Sequence, residues 1–153
     1  MQLSAHTPTR TRAQAIRDKV AIRLATNSAG PAIAAVLKEN GIDLPGVDWS
    51  EVNPYWLIAT VDDDVVGCCQ VLIAKPFGFL DFIFVRKSVN FKFRAIAVRK
   101  LLQQGIRTLE VAGCSYAGGF VSEKNHKMMD VVEKIAKPVG KCELMVKRLM
   151  YAW

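Results

Sequence analysis

The chain has 153 residues, of which 51% are hydrophobic and 23% charged, the balance of a globular protein of about one domain. That composition excludes wholesale disorder, and ten Gly and six Pro scattered without a period exclude collagen-like and coiled-coil chains. The net charge of +7 is unevenly placed: residues 86–107 hold seven bases and no acid, whereas residues 39–64 hold seven acids and no base.

A basic surface of this kind fits an acidic partner, whether nucleic acid, a phosphorylated cofactor or an acidic protein. No apolar run approaches the roughly 20 residues of a membrane span, so no membrane partner is expected. The start, MQLSAHTPTRTR, lacks the apolar region of a secretory signal, which predicts synthesis in the cytoplasm. The cysteines are Cys68, Cys69, Cys114 and Cys142, with no CxxC pair, and the histidines are His6 and His126. No metal site is expected from that set. Adjacent Cys68 and Cys69 point to opposite faces if they lie on a strand, as small buried hydrophobes.

In chain order, residues 1–19 read as a basic arm carrying Arg10, Arg12, Arg17 and Lys19, with a short helix over TRAQAIRDK. Residues 20–153 read as a single domain. VAIRL is a strand, and Asn27 or Ser28 is expected to cap a helix over PAIAAVLKEN that Gly41 ends. GIDLPGVDWSEVNP is a long loop. YWLIATV and VVGCCQVLIA form a hairpin about DDD, KPFG turns again, and FLDFIFVRK is a third strand. NFKFRAIAVRKLLQQG reads as a helix running into Gly105, RTLEVAG as a strand and CSYAGGF as a Gly-rich loop. SEKNHKMMDVVEKIAK is an amphipathic helix with Ser122 as cap, and KCELMVKRLM a closing strand. The apolar tail of Leu144, Met145, Val146, Leu149, Met150, Tyr151 and Trp153 could continue into a neighbouring molecule. Antiparallel strands followed by a βαβ crossover predict an α/β fold, a mixed and mostly antiparallel central sheet with helices on both faces.

That order resembles the GNAT superfamily of acetyl-CoA-dependent N-acetyltransferases over about residues 20–149. IRLATNSAGPAIAAVL is similar to the family's first strand and helix, WLIATVDDDVVGCCQV to its second and third strands, FLDFIFV to its fourth strand and NHKMMDVVEKIAK to its fourth helix. The family's cofactor loop, Q/R-x-x-G-x-G/A, cradles a pyrophosphate on backbone N–H groups at a helix start. Here it corresponds to Asn90, Phe91, Lys92, Phe93, Arg94 and Ala95. Only Ala95 fits: Asn90 replaces Gln or Arg, and Phe93 stands where glycine lets the phosphate approach, so it is expected to obstruct. The family's general-acid tyrosine aligns with Val132, which transfers no proton. Tyr116 is a substitute acid. Asp81 and Glu110 are candidate bases on strands, although a strand carboxylate facing outward is more often simply solvated.

From the eroded loop the first expectation is a protein with no catalytic residues and no cofactor, acting through binding or assembly with other subunits, as in a ring. GNAT-like chains of this kind resemble some tailed-phage proteins, including internal and head–tail virion components. The candidate partner-binding residues are Arg10, Arg12, Arg17, Phe91 and Phe93. The alternative is an acetyl-CoA-dependent N-acetyltransferase with an atypical loop, its cofactor held by Asn90, Lys92, Arg94, Ala95 and Asn125. A second alternative is a nucleic-acid-binding module, with Phe91 and Phe93 between basic residues.

Overall fold

A computed structural model describes residues 11–50, 55–119, 121 and 125–134. The chain divides into two compact units, Met1–Phe120 and Val121–Trp153. The first begins with α1 (Arg12–Lys19), capped by the Thr11 side chain, which accepts from the Gln14 N–H at 3.3 Å. It continues through β1 (Val20–Leu24) and α2 (Gly30–Glu39) to the strands β2 (Trp56–Val61), β3 (Asp64–Ala74) and β4 (Phe77–Val85). The long helix α3 (Phe91–Val111) and β5 (Tyr116–Gly119) complete it. The second unit contributes α4 (His126–Val132).

The five strands lie in chain order, antiparallel from β1 to β4 and parallel between β4 and β5. Asp62 and Asp63 both have positive φ, 48° and 69°, so the two-residue turn matches the twist of the β2–β3 hairpin. β2 is buried along nearly its whole length because both faces of the sheet are covered. On one face Trp56, Ile58 and Cys68 pack with Ile33, Val36 and Leu37, which recur at helical spacing on α2. The other face packs on α3 through Leu101 and Leu109, both fully buried, each side chain contributing about 2 kcal/mol. Cys68 and Cys69 lie on opposite faces, both buried, and burial pushes each thiol up to about 12, so neither ionises at neutral pH.

Three expected elements differ. Asn27–Ala29 form a 3₁₀ turn that leads directly into α2, so the helix's N-cap is Ala29 rather than Asn27 or Ser28. The helix expected to stop at Gly105 runs on to Val111, so RTLEVAG is helix rather than strand. The Gly-rich segment expected as a loop forms β5. Gly105 is a contact glycine and not a terminator: a Cβ there would stand 2.7 Å from Leu80 Cδ2. Ser122 and the expected closing strand and tail lie outside the described residues.

Gly105→Val therefore sets a helix-propensity gain of about 0.5 kcal/mol against overpacking that typically costs about 1–3 kcal/mol. The contact wins, because Leu80 is itself buried. Urea unfolding is expected to show a loss of about 2 kcal/mol, and an unchanged midpoint would refute the packing assignment.

Candidate functional site

The site lies where the described pairing of β4 with β5 ends. That pairing runs from Phe77↔Tyr116 to Leu80↔Gly119. Beyond it, Asp81–Val85 pair with β3 alone among the described residues. At that point β4 carries a bulge: its register against β3 shifts between Gln70↔Asp81 and Cys68↔Phe84. Phe82 adopts φ +48°, a strained conformation for a bulky residue. Three contacts hold it. Asp81 Oδ1 accepts from the Phe82 N–H at 2.8 Å, the Cys68 thiol donates to the Phe82 carbonyl at 3.6 Å, and the ring stacks on Trp56 with centroids 6.0 Å apart.

β4 then leads through residues 86–90 into the start of α3. Asn90 caps this helix, its Oδ1 accepting from the Lys92 N–H at 3.0 Å. The first-turn amides of Phe91 and Phe93 have no partner among the described residues. Lys87, Lys92 and Arg94 are exposed around them. A helix end with free N–H groups and three exposed cations, and no acid in its own segment, attracts an anion.

The connecting loop is fastened to α2. Glu39 Oε1 accepts from the Ser88 N–H at 2.7 Å, and its Oε2 accepts from Arg86 Nε at 3.0 Å and from Ser88 Oγ at 3.4 Å. Asn40 Nδ2 donates to the Val85 carbonyl at 3.2 Å. The Ser88 amide and then the Arg86 guanidinium hold the Glu39 carboxyl below its ordinary value of 4.5. Arg86, spent on Glu39, is not one of the free cations.

Of the expected cofactor residues, Asn90, Lys92, Arg94 and Ala95 are brought together at the start of α3. Asn125 caps α4 in the second unit, its side chain accepting from the Met128 N–H at 3.2 Å. Of the expected partner residues, Arg10 lies outside the described residues and Arg12 opens α1. The Arg17 carbonyl accepts from Lys100 Nζ at 2.7 Å, and that ammonium also reaches the Val20 carbonyl at 2.6 Å, tying α1 to α3. Phe91 is 70% exposed, with the Lys92 ammonium 6.0 Å from its ring centre. Phe93, expected as a second exposed ring, is half-buried instead. Glu110, expected on a strand, is exposed in the last turn of α3, and Tyr116 is on β5, stacked on Phe77. Phe82 and Glu39 were not expected at the site. The only local signal for Phe82 was the Asp preceding it, and Glu39 acts across 49 residues of chain. Among the described residues no cluster of His, Cys, Asp and Glu could hold a metal, and no helix is long and apolar enough to cross a membrane.

No protein-family model and no curated protein sequence matches the chain. Solved structures do. AAC(6')-Iy, in complex with a bisubstrate analogue of coenzyme A, is 20% identical, with TM-score 0.65 over 85% of this chain and 99% of that one. A transcriptional regulator from Bacillus halodurans is 10% identical, with TM-score 0.65 over 84% and 99%. Diaminobutyrate acetyltransferase from Paenibacillus lautus, in complex with its substrate and coenzyme A, is 16% identical, with TM-score 0.63 over 75% and 73%. The chain has the GNAT fold. The mixed sheet with α2 and α3 on opposite faces agrees with that expectation.

The expectation of no cofactor is overturned. Structures of this GNAT fold hold coenzyme A or its analogue. Phe93 is half-buried in the first turn, and the Phe91 and Phe93 amides have no partner among the described residues.

The lowered carboxyl of Glu39 fixes the sign of a pH effect. Its anchor is complete above the ordinary value of 4.5 and is lost as pH falls through the lower, folded-state value. The Ser88 amide resonance is expected to titrate with a midpoint below 4.5, and not to titrate there in Glu39→Gln. A midpoint at or above 4.5 would contradict the anchor.

Proposed function

We propose that the protein is an acetyl-CoA-dependent N-acyltransferase. The observation that carries this reading is the continuity of three features: the strained bulge at Phe82, the stretch of β4 beyond it that pairs only with β3 among the described residues, and the cationic, partly uncapped start of α3. The coenzyme A complexes among structures of the same fold favour it over the binding and assembly reading expected from the loop sequence.

Acetyl-CoA would supply the acyl group as an activated thioester. Lys87, Lys92 and Arg94, with the Phe91 and Phe93 amides, would hold its phosphates. The acceptor amine is mostly protonated at neutral pH, since an alkylammonium has a pKa of about 10. It must lose a proton before it attacks. Asp81, half-buried at the bulge just past the described β4–β5 pairing, is the proton acceptor in this reading. As the amine nitrogen would bond to the acyl carbon and the carbon–sulfur bond break, the electron pair would leave on sulfur, and the second proton of the nitrogen would pass to the departing thiolate or to water to give the neutral amide and the thiol. A thiol ionises at about 8.5, so a thiolate departs without strong acid assistance. Val132 in place of a tyrosine therefore costs less than the loss of a base would.

Calorimetric titration with acetyl-CoA at low salt tests this. Binding in the micromolar range that weakens with added salt is expected, and Lys92→Glu is expected to weaken it by about tenfold. Asp81→Asn keeps an oxygen for the Phe82 N–H but removes the base. It is expected to retain acetyl-CoA affinity while lowering turnover on primary amines by roughly 10²–10³-fold. A wild type that does not bind acetyl-CoA ends the reading.

A further inference from the structure

We infer that Glu39 is a positioning residue for the phosphate-binding end of α3, through which α2 sets the affinity for coenzyme A. This rests on the acyltransferase reading above. Residues 86–90 are the only covalent link between the bulged strand and the helix start, and their course decides where the Phe91 and Phe93 amides point. Little inside that loop holds it. The Val89 N–H reaches the Arg86 carbonyl at 3.3 Å, and the Arg86 N–H reaches Val66 at 2.8 Å. The rest comes from the end of α2. One Glu39 carboxylate accepts from the Ser88 amide, the Arg86 guanidinium and the Ser88 hydroxyl, while the Asn40 side-chain amide donates to the Val85 carbonyl. Glu39 and Asn40 are the last helical residue and the C-cap of α2. A movement of α2 is therefore transmitted to the loop through short hydrogen bonds.

The role carries a sign that charge alone does not. Glu39 is an anion near a site that attracts anions. Removing its charge also releases Arg86. By electrostatics alone, Glu39→Gln would tighten the binding of a phosphorylated ligand. A positioning role predicts the opposite, because a neutral amide holds the Ser88 N–H and Arg86 less well and the cradle loses its shape.

The experiment titrates the full-length chain with acetyl-CoA and separately with inorganic pyrophosphate, as wild type, Glu39→Gln and Glu110→Gln. The last removes one carboxylate charge from the far end of α3. Amide hydrogen exchange at Ser88 is read on the same proteins, and thermal unfolding confirms that each is folded. Glu39→Gln is expected to weaken both ligands by about tenfold and to speed Ser88 exchange by about tenfold, as loss of a charge-assisted hydrogen bond implies. Glu110→Gln is expected to leave both unchanged or slightly tighter. If wild type binds and Glu39→Gln binds equally well or better, the positioning role is overturned while the acyltransferase reading stands. If wild type binds neither ligand, that reading falls and this inference with it.

Discussion

A phenylalanine at φ +48° in the middle of a strand costs of order 1–3 kcal/mol, and the candidate site depends on that strain being sustained. The core on the α2 side sustains it. Trp56 stacks on the Phe82 ring, and Trp49 packs edge-on against Trp56 with centroids 6.0 Å apart. Cys68, held protonated by burial, keeps the proton that it donates to the Phe82 carbonyl. The bulge is thus a product of the same packing that stabilises the domain. It sits directly after the last described β4–β5 pair, so the strand is kinked where that pairing ends.

The antiparallel half of the fold was legible in the sequence because its signals are local. Alternation, the Asp-rich turn and the Ile33–Val36–Leu37 spacing each act within a few residues, and each element formed where it was expected. The parallel half was misread at one residue. Gly105 has the look of a helix terminator, yet its meaning comes from Leu80 on another element. Once Gly105 is taken as a stop, RTLEVAG has to become a strand and the following glycines a loop. The small residues of β5 then look like flexibility. In the fold they bring β5 close to β4: a Cβ on Gly119 would meet the Leu80 carbonyl at 2.9 Å.

The site was half legible for a related reason. Asn90, Lys92 and Arg94 could be found because a cap and a cluster of bases at a helix start are contiguous. The obstruction expected of Phe93 was read from the residue type at one position, whereas the structure adds that its ring is half-buried and that the neighbouring amides have no partner among the described residues. Glu39 carried no local signal, because its partners lie 47 and 49 residues away.

The uneven charge of the chain gains a structural use from these contacts. Read as a pattern, an acidic run and a basic run suggest faces that meet between molecules. Within one chain, Glu39 opens the acidic run and Arg86 opens the basic run, and the two pair at 3.0 Å. The remaining bases of the loop and first turn, Lys87, Lys92 and Arg94, have no such acid beside them among the described residues and are exposed. One ion pair therefore does two things. It fixes the loop, and it withdraws from the helix start the single arginine that the loop itself carries, so that in the proposed reading a phosphate would meet exposed side chains at the rim and fixed amides at its centre. That division would suit a ligand that must bind in one orientation and still be released after reaction, since fixed dipoles give orientation while solvated cations give attraction that salt readily screens.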